Sequence, residues 1–329
     1  MARIGIPEID PALEAELMGE MLQVEELMRN HLEGKYPFVI ETSRHLVDAG
    51  GKRLRPLVAL LASRFGSKSG IDIIKSAVVV ELTHLGTLYH DDVMDEAPLR
   101  RGVESANSRW TNTVAILTGD YLFAKVSALL ADLGPEAVRL QAHTFERLVI
   151  GQIKETQVQT PGLTQLEHYL AVISDKTSSL IATSARYGAL LSEADPAVVE
   201  ILTAYGEKMG TVFQLADDII DIASTTDESG KTPGTDLREG VPTLVTLFIL
   251  ESTNPQDAEL KELLSAPITD EAIVQKTLTT LRTHVAMANA KALVSQLGDE
   301  ARNVLAPLPN CPAKVALISL CDAVITRTA

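Results

Sequence analysis

Two short segments of this chain carry the same arrangement of carboxylates: DDVMD, with Asp91, Asp92 and Asp95, and DDIID, with Asp217, Asp218 and Asp221. On a helix, positions i, i+1 and i+4 project from one side, so each triplet predicts three like charges within about one turn. Apolar residues flank both: Leu88, Val93 and Met94 in the first case, Phe213, Leu215, Ile219 and Ile220 in the second. Half-buried carboxylates crowded in this way stay ionised only with cations between them. A donor set made only of oxygen suits a hard divalent ion, magnesium first, which keeps several waters and bridges to phosphate. One acidic triplet would ordinarily be a solvated helix face, but two copies of identical spacing in apolar helices need another reason. Neither is surrounded by an EF-hand-like loop, which argues against calcium storage.

The basic residues that complement such a site are concentrated in a few places. Gly50-Gly51-Lys52-Arg53-Leu54-Arg55-Pro56 puts three cations in four residues, and Arg100-Arg101-Gly102 follows the first triplet after Pro98. Guanidinium groups hold phosphate bidentately and lysine adds a point charge. His84 precedes Asp91 by seven residues, two turns earlier on the same face, which reads Glu81, His84, Thr87, Leu88, Asp91, Asp92, Asp95. The formal net charge of −15 argues against a nucleic-acid partner. An acidic protein can still act on a diphosphate if divalent cations sit between the two. No Ser-His-Asp or Cys-His pattern offers a covalent nucleophile.

The elements that must position these groups are helices. Hydrophobic residues make up 46% of the 329 and charged residues 22%, enough to bury a sizeable core. Abundant Ala, Leu, Glu and Ile with only 4% aromatics favours helix packed on helix, an all-α class. Helical periodicity predicts helices near 11–32, 36–49, 54–66, 71–96, 112–132, 135–159, 164–191 and 196–225, then near 241–252, 256–264, 270–306 (broken) and 313–327. Breaks fall at Gly50-Gly51, Pro161-Gly162, Asp195-Pro196 and Asn254-Pro255. The segment 226–240 reads as a polar loop, and loops of that length in compact domains are usually functional. No low-complexity linker or short repeat divides the chain, so a single domain over 1–329 is expected. The two cysteines, Cys311 and Cys321, match no zinc or redox pattern, and a reducing cytoplasm is the expected location. The N-terminal residues lack the features of a signal peptide, and no uninterrupted apolar run reaches the ~18 residues of a membrane span.

The segments GGKRLRP, ELTHLGTLYHDDVMDEAPLRRG, GDYLFAK, DKTSSL and FQLADDIIDIASTTDESGKTPGTDLREG, in this order between about residues 45 and 250, resemble the trans-type isoprenyl diphosphate synthases, the polyprenyl synthetase family. The C-terminal third resembles it only in being helical. The resemblance implies one large helical bundle around a central apolar cavity, magnesium as cofactor, and usually a homodimer, for which the apolar helix near 113–131 is a candidate interface. It implies condensation of isopentenyl diphosphate with an allylic diphosphate, head to tail. By the same resemblance Lys52, Arg55, His84 and Arg101 hold the diphosphate of isopentenyl diphosphate, and Arg100, Lys176 and Lys231 hold that of the allylic partner. Asp91, Asp95 and Asp217 become direct magnesium ligands, with Asp92, Asp218 and Asp221 acting through water or in support. Thr177 and Gln214 match positions that line the reacting carbons, and Gln214 lies one turn before Asp217 and Asp218. The chemistry implied is ionisation of an allylic carbon–oxygen bond, attack by the double bond of isopentenyl diphosphate and loss of a proton, in a pocket that excludes water.

Short-chain relatives place aromatics four and five residues before the first aspartate, where this chain has Thr87 and Gly86. Both are small, so the tunnel is expected to be open and the product longer than geranylgeranyl diphosphate, as for a quinone side chain. Tyr89 and the helix 135–159 are the features that can narrow it. Where most relatives carry a lysine after DLREG this chain has Val241, and Arg238 is the candidate replacement. Three alternatives compete: a short-chain synthase, a non-catalytic regulatory subunit, and a class I terpene cyclase. Regulatory subunits tend to lose an aspartate cluster, and cyclases usually lack a second DDxxD and GGKRLRP; this chain has all of these.

Overall fold

The apolar periodicity becomes helix nearly throughout the computed structural model, which describes residues 4–157, 159–223 and 233–327. The first helices are α1 (Pro11–His31), α2 (Pro37–Asp48), α3 (Leu54–Ala62) and α4 (Ile71–Met94). A small hairpin, β1 (Leu99–Arg100) and β2 (Val103–Glu104), pairs antiparallel with Arg100 opposite Val103. There follow α5 (Ala106–Arg109), α6 (Asn112–Leu133), α7 (Pro135–Glu155), α8 (Gln165–Ile173), a π-helical turn (Ser174–Ser178), α9 (Ser179–Leu191) and α10 (Pro196–Ala223). The C-terminal part holds α11 (Thr235–Glu239), α12 (Leu244–Leu250), α13 (Ala258–Leu263), α14 (Glu271–Thr283), α15 (Val285–Val304) and α16 (Pro312–Thr326).

The boundaries follow local chemistry. Asp10 accepts hydrogen bonds from the N–H groups of Ala12 and Leu13 and starts α1 ahead of Pro11. Asp195 does the same for Ala197 at 2.9 Å. Thr164 and Glu167 close a capping box on α8. The break within 270–306 falls at His284, whose extended backbone ends α14 and whose Nδ1 accepts the N–H of Ala286 to start α15. One expectation changes: 164–191 is not one regular helix but is widened at Ser174–Ser178.

The chain forms two compact units. The first comprises Met1–Glu146, Leu180–Gly206 and Leu308–Leu317; the second comprises Arg147–Ser179, Glu207–Pro307 and Ile318–Ala329. In the first, α4 is the core helix, with Val78, Val79, Val80, Leu82 and Leu85 fully buried, as its nearly continuous apolar sequence requires. It packs most extensively on α6, then on α3 and α1. Tyr89 is fully buried, donates its hydroxyl to Thr42 O at 2.6 Å and accepts the N–H of Leu46. It therefore locks α2 to α4 and does not wall a tunnel. In the second unit, Val212, Leu215, Ile219 and Ile222 of α10 are buried, as are Leu244, Val274, Leu278 and Val294 of α12, α14 and α15. Among the described residues α6 is the one helix long and apolar enough to cross a membrane by length and composition; 39% of its apolar window is buried. Its packing on α4 accounts for the buried part of that character, while Ile116 and Leu117 stay exposed.

Candidate active site

The first aspartate cluster ends α4. Asp91 is half-buried, Asp95 follows the last helical residue and is exposed, and Asp92 is fully buried. Arg100 of the hairpin donates from Nε to Asp92 Oδ1 at 2.5 Å, while Asp92 Oδ2 is buried without a partner. Burial pushes the Asp92 carboxyl above its usual range and Arg100 opposes that shift. Arg100, which the resemblance assigns to the allylic diphosphate, is thus engaged with an aspartate of the cluster.

The hairpin turn also aims Arg101. Arg101 and Gly102 both have positive φ, 54° and 79°, as in a two-residue turn that matches strand twist. The Arg101 Nη1 donates to Leu46 O at 3.1 Å and, closely, to Gly50 O; its Nη2 lies 3.7 Å from Glu81. Gly51 makes this seat usable, because a Cβ there would lie 2.8 Å from the guanidinium carbon. Arg53 is not a phosphate ligand in waiting. It is buried, donates to Glu25 at 2.5 Å, Glu81 at 2.8 Å and Val47 O at 2.9 Å, and holds the loop to α1 and α4.

Arg55 keeps a buried Nε without a partner, and burial together with Arg101 lowers its pKa to about 10, against the opposing pull of Glu81. His84 is held neutral: burial, then Arg55, Arg101, Arg100 and Arg53, push its pKa well below the ordinary value. Around this neutral imidazole stand four guanidiniums and three carboxylates, Glu81 with Glu25 beside Arg53 and Asp92 beside Arg100, an excess of one positive charge suited to an anion. Lys52 is exposed at the edge of the glycine loop.

Gly86 does not leave open space, contrary to the expectation from its size. A Cβ there would meet the Phe123 ring of α6 at 2.9 Å, and Phe123 in turn contacts Phe145 of α7 and His90 of α4. Thr87 is half-buried with its hydroxyl bonded to His84 O at 2.8 Å.

The second cluster lies on α10, beside a cavity of about 550 Å³ in the second unit. Lys176, Thr177, Gln214 and Asp218 all line it. Thr177 donates to Gln214 Oε1 at 3.1 Å, Gln214 Nε2 donates to Asp218 Oδ1 at 2.9 Å, and Tyr169 donates its hydroxyl to Asp218 Oδ2. Burial, with Asp217 and Asp221 adding to it, pushes the Asp218 carboxyl up to about 6, although both hydrogen bonds pull it down. Lys176 contacts Glu155 at 2.5 Å. Asp217 meets Arg327 at 3.3 Å, and Asp221 accepts the N–H groups of Thr235 and Asp236 at the start of α11. Val241 also lines the cavity. Arg238 does not stand in for the missing lysine, since Glu271 holds its guanidinium by two contacts of 2.9 Å and Pro233 O by a third at 2.7 Å. Lys231 lies outside the described residues. Among those described, no three His, Cys, Asp or Glu side chains already stand grouped as a ready-made metal site.

Sequence reasoning did not assign roles to Tyr169, Phe123 or Glu25. Tyr169 lies on the α8 face that leads to Lys176, a spacing of seven that could have indicated it. Glu25 and Phe123 left no such signal, because they act across helices distant in sequence.

A profile of the polyprenyl synthetase family matches residues 37–281. The chain belongs to that family. A nonaprenyl diphosphate synthase of Mycobacterium tuberculosis is 46% identical over 98% of this chain and 97% of its own. An octaprenyl diphosphate synthase of Haemophilus influenzae is 32% identical over 92% of each. Among solved structures, a geranylgeranyl pyrophosphate synthase from Corynebacterium glutamicum, complexed with calcium and isoprenyl diphosphate, is 44% identical with a TM-score of 0.86, covering 98% of this chain and 99% of that one. A decaprenyl diphosphate synthase from Rhodobacter capsulatus is 30% identical with a TM-score of 0.87, covering 97% and 99%. This polyprenyl synthase accordingly has the all-α isoprenoid synthase fold and is a prenyl diphosphate synthase, in a family whose relatives carry names from geranylgeranyl to decaprenyl.

Proposed function

We propose that this polyprenyl synthase joins isopentenyl diphosphate to an allylic diphosphate with magnesium as its cation, that its product is longer than geranylgeranyl diphosphate, and that Phe123 helps to set that length. The observation that carries the reading is the cavity of the second unit where Lys176, Thr177, Gln214 and Asp218 meet. The first unit by itself carries the first aspartate cluster and its basic residues, on α4 and the hairpin. A divalent cation fits the donor sets: both triplets offer only carboxylate oxygens, and Asp92 keeps one buried oxygen without a partner. Asp91, Asp95 and Asp217 would hold the ions, with Asp92, Asp218 and Asp221 in support. Bound magnesium would neutralise the charge that develops on the leaving diphosphate.

The remaining work falls to side chains. Arg55 and Arg101 grip the isopentenyl diphosphate, and neutral His84 donates a hydrogen bond without adding charge. Lys176 takes the allylic diphosphate, and Thr177 and Gln214 lie along the reacting carbons in an order fixed by the chain through Asp218 to Tyr169. Val172, Ile173 and Leu247 give the cavity an apolar wall that keeps water from the cation. Pairing of two copies through α6 is supported by its exposed Ile116 and Leu117.

The test is incubation with labelled isopentenyl diphosphate, farnesyl diphosphate and magnesium, then chromatography of the dephosphorylated products. A ladder ending beyond geranylgeraniol, lost on chelation and restored by magnesium, is expected. A product stopping at geranylgeraniol would overturn the length; no elongation with any primer would overturn the activity.

A further inference from the structure

The π-helical turn Ser174–Ser178 carries Lys176 and Thr177, and nothing in the reading above explains why the helix widens there. Its wide bond is visible: the N–H of Ser179 reaches Ser174 O, five residues back. Such turns insert one extra residue, cost stability relative to a regular helix, and persist only where neighbours hold them. Three neighbours do so here.

Gly151 of α7 and Gly210 of α10 press on the turn. A Cβ at Gly151 would lie 2.5 Å from the backbone nitrogen of Lys176, and one at Gly210 would lie 2.5 Å from the Cα of Ser178. The third is Arg147, also on α7. Its Nε donates to Asp175 Oδ1 at 3.2 Å, its Nη2 donates to Ser174 O at 3.2 Å, and its Nη1 donates to Glu207 of α10 at 2.5 Å. One planar guanidinium thereby binds the first two residues of the turn to a neighbouring helix, including the carbonyl that accepts the wide bond. Lys154 completes the anchor from the other oxygen of Asp175 at 2.8 Å.

We propose that Arg147 is a positioning residue which, with Gly151 and Gly210, holds this turn open and so aims Lys176 and Thr177 into the cavity. The proposal rests on the reading that Lys176 contacts the allylic substrate. Arg147 lines no part of the cavity and touches no reacting atom.

The experiment compares Arg147→Met, Lys176→Ala and the double variant by kcat and by KM for each substrate, with amide hydrogen exchange over residues 174–179. Arg147→Met is expected to lower kcat by about 10- to 100-fold, the scale of a misplacement near 1 Å. KM for isopentenyl diphosphate should change by less than about twofold, since that site holds other residues. The double variant should be slower than Lys176→Ala by much less than the factor Arg147→Met costs on its own, because only the misplacement of Thr177 is left to be felt. The Ser179 amide should exchange faster in Arg147→Met while amides elsewhere keep their protection.

A wild-type kcat in Arg147→Met, or losses that multiply in the double variant, would overturn the proposal. If Lys176→Ala keeps full activity, the active-site reading fails on its own; the exchange result then decides the turn, and unchanged protection at Ser179 sinks it. Should Arg147→Met not fold, Gly210→Ala serves instead. Alanine ordinarily stabilises a helix interior relative to glycine. Here a lower melting temperature with a lower kcat is expected, and a higher melting temperature with unchanged kcat would refute the idea.

Discussion

Asp218→Asn is expected to make the metal-free protein more stable and the enzyme far slower. The Asp218 carboxyl is buried and its pKa is raised from 3.8 to about 6. A pKa raised on folding contributes stability in full below the unfolded value, and that contribution is lost as pH rises from about 4 through about 6. A shift of roughly two units corresponds to about 3 kcal/mol of penalty borne by the folded protein at pH 8. Asparagine removes the charge and keeps the contacts: Gln214 Nε2 can donate to the amide oxygen, and the Tyr169 hydroxyl can rotate to accept from the amide nitrogen. Thermal unfolding in chelator at pH 8 should show the variant ahead by about 3 kcal/mol, the gap shrinking below about 1 kcal/mol at pH 4. Magnesium with inorganic diphosphate should reverse the order at pH 8 by stabilising wild type more. A variant no more stable than wild type at pH 8, or a gap equal at both pH values, would refute the burial account.

Three further outcomes are expected. Phe123→Ala should lengthen the product by at least one isoprene unit on reversed-phase chromatography, since the ring fills the space beside Gly86; an unchanged distribution would place the floor elsewhere. Glu81→Gln should cost about 3 kcal/mol by calorimetry, as it takes from the buried Arg53 one of its two carboxylates, 2.8 Å away; a loss under ~1 kcal/mol would mean that Glu25 alone suffices. Val241→Lys should lower KM for the allylic diphosphate by about tenfold by adding a cation to the cavity, whereas Arg238→Ala should leave that KM alone; a rise on the latter would contradict its capture by Glu271.

The helices were legible in the sequence because their signals are local: apolar spacing gives the face, and Asp195 ahead of Pro196 marks a start. The aspartate triplets were legible for the same reason, as one turn of helix brings them together. What was not legible depends on partners far along the chain. Arg53 looked like one more phosphate-binding cation until Glu25 and Glu81 appeared beside it. Gly86 looked like open space until Phe123 was seen to fill it. The wide turn at Ser174–Ser178 has ordinary helix-forming neighbours and is imposed by glycines and an arginine on other helices.

Phe123 and Gly86 belong to different helices, and the carboxylates to only one of them. A lineage can therefore alter the volume at residue 123 without disturbing Asp91, Asp92 or Asp95, and change what the enzyme makes in a single mutational step. Loss of an aspartate has no such neutral route. Product length is then the readily evolving trait and ionisation the inherited one. Relatives at nearly equal identity, 44% and 46%, bear geranylgeranyl and nonaprenyl names, which such a separation would allow.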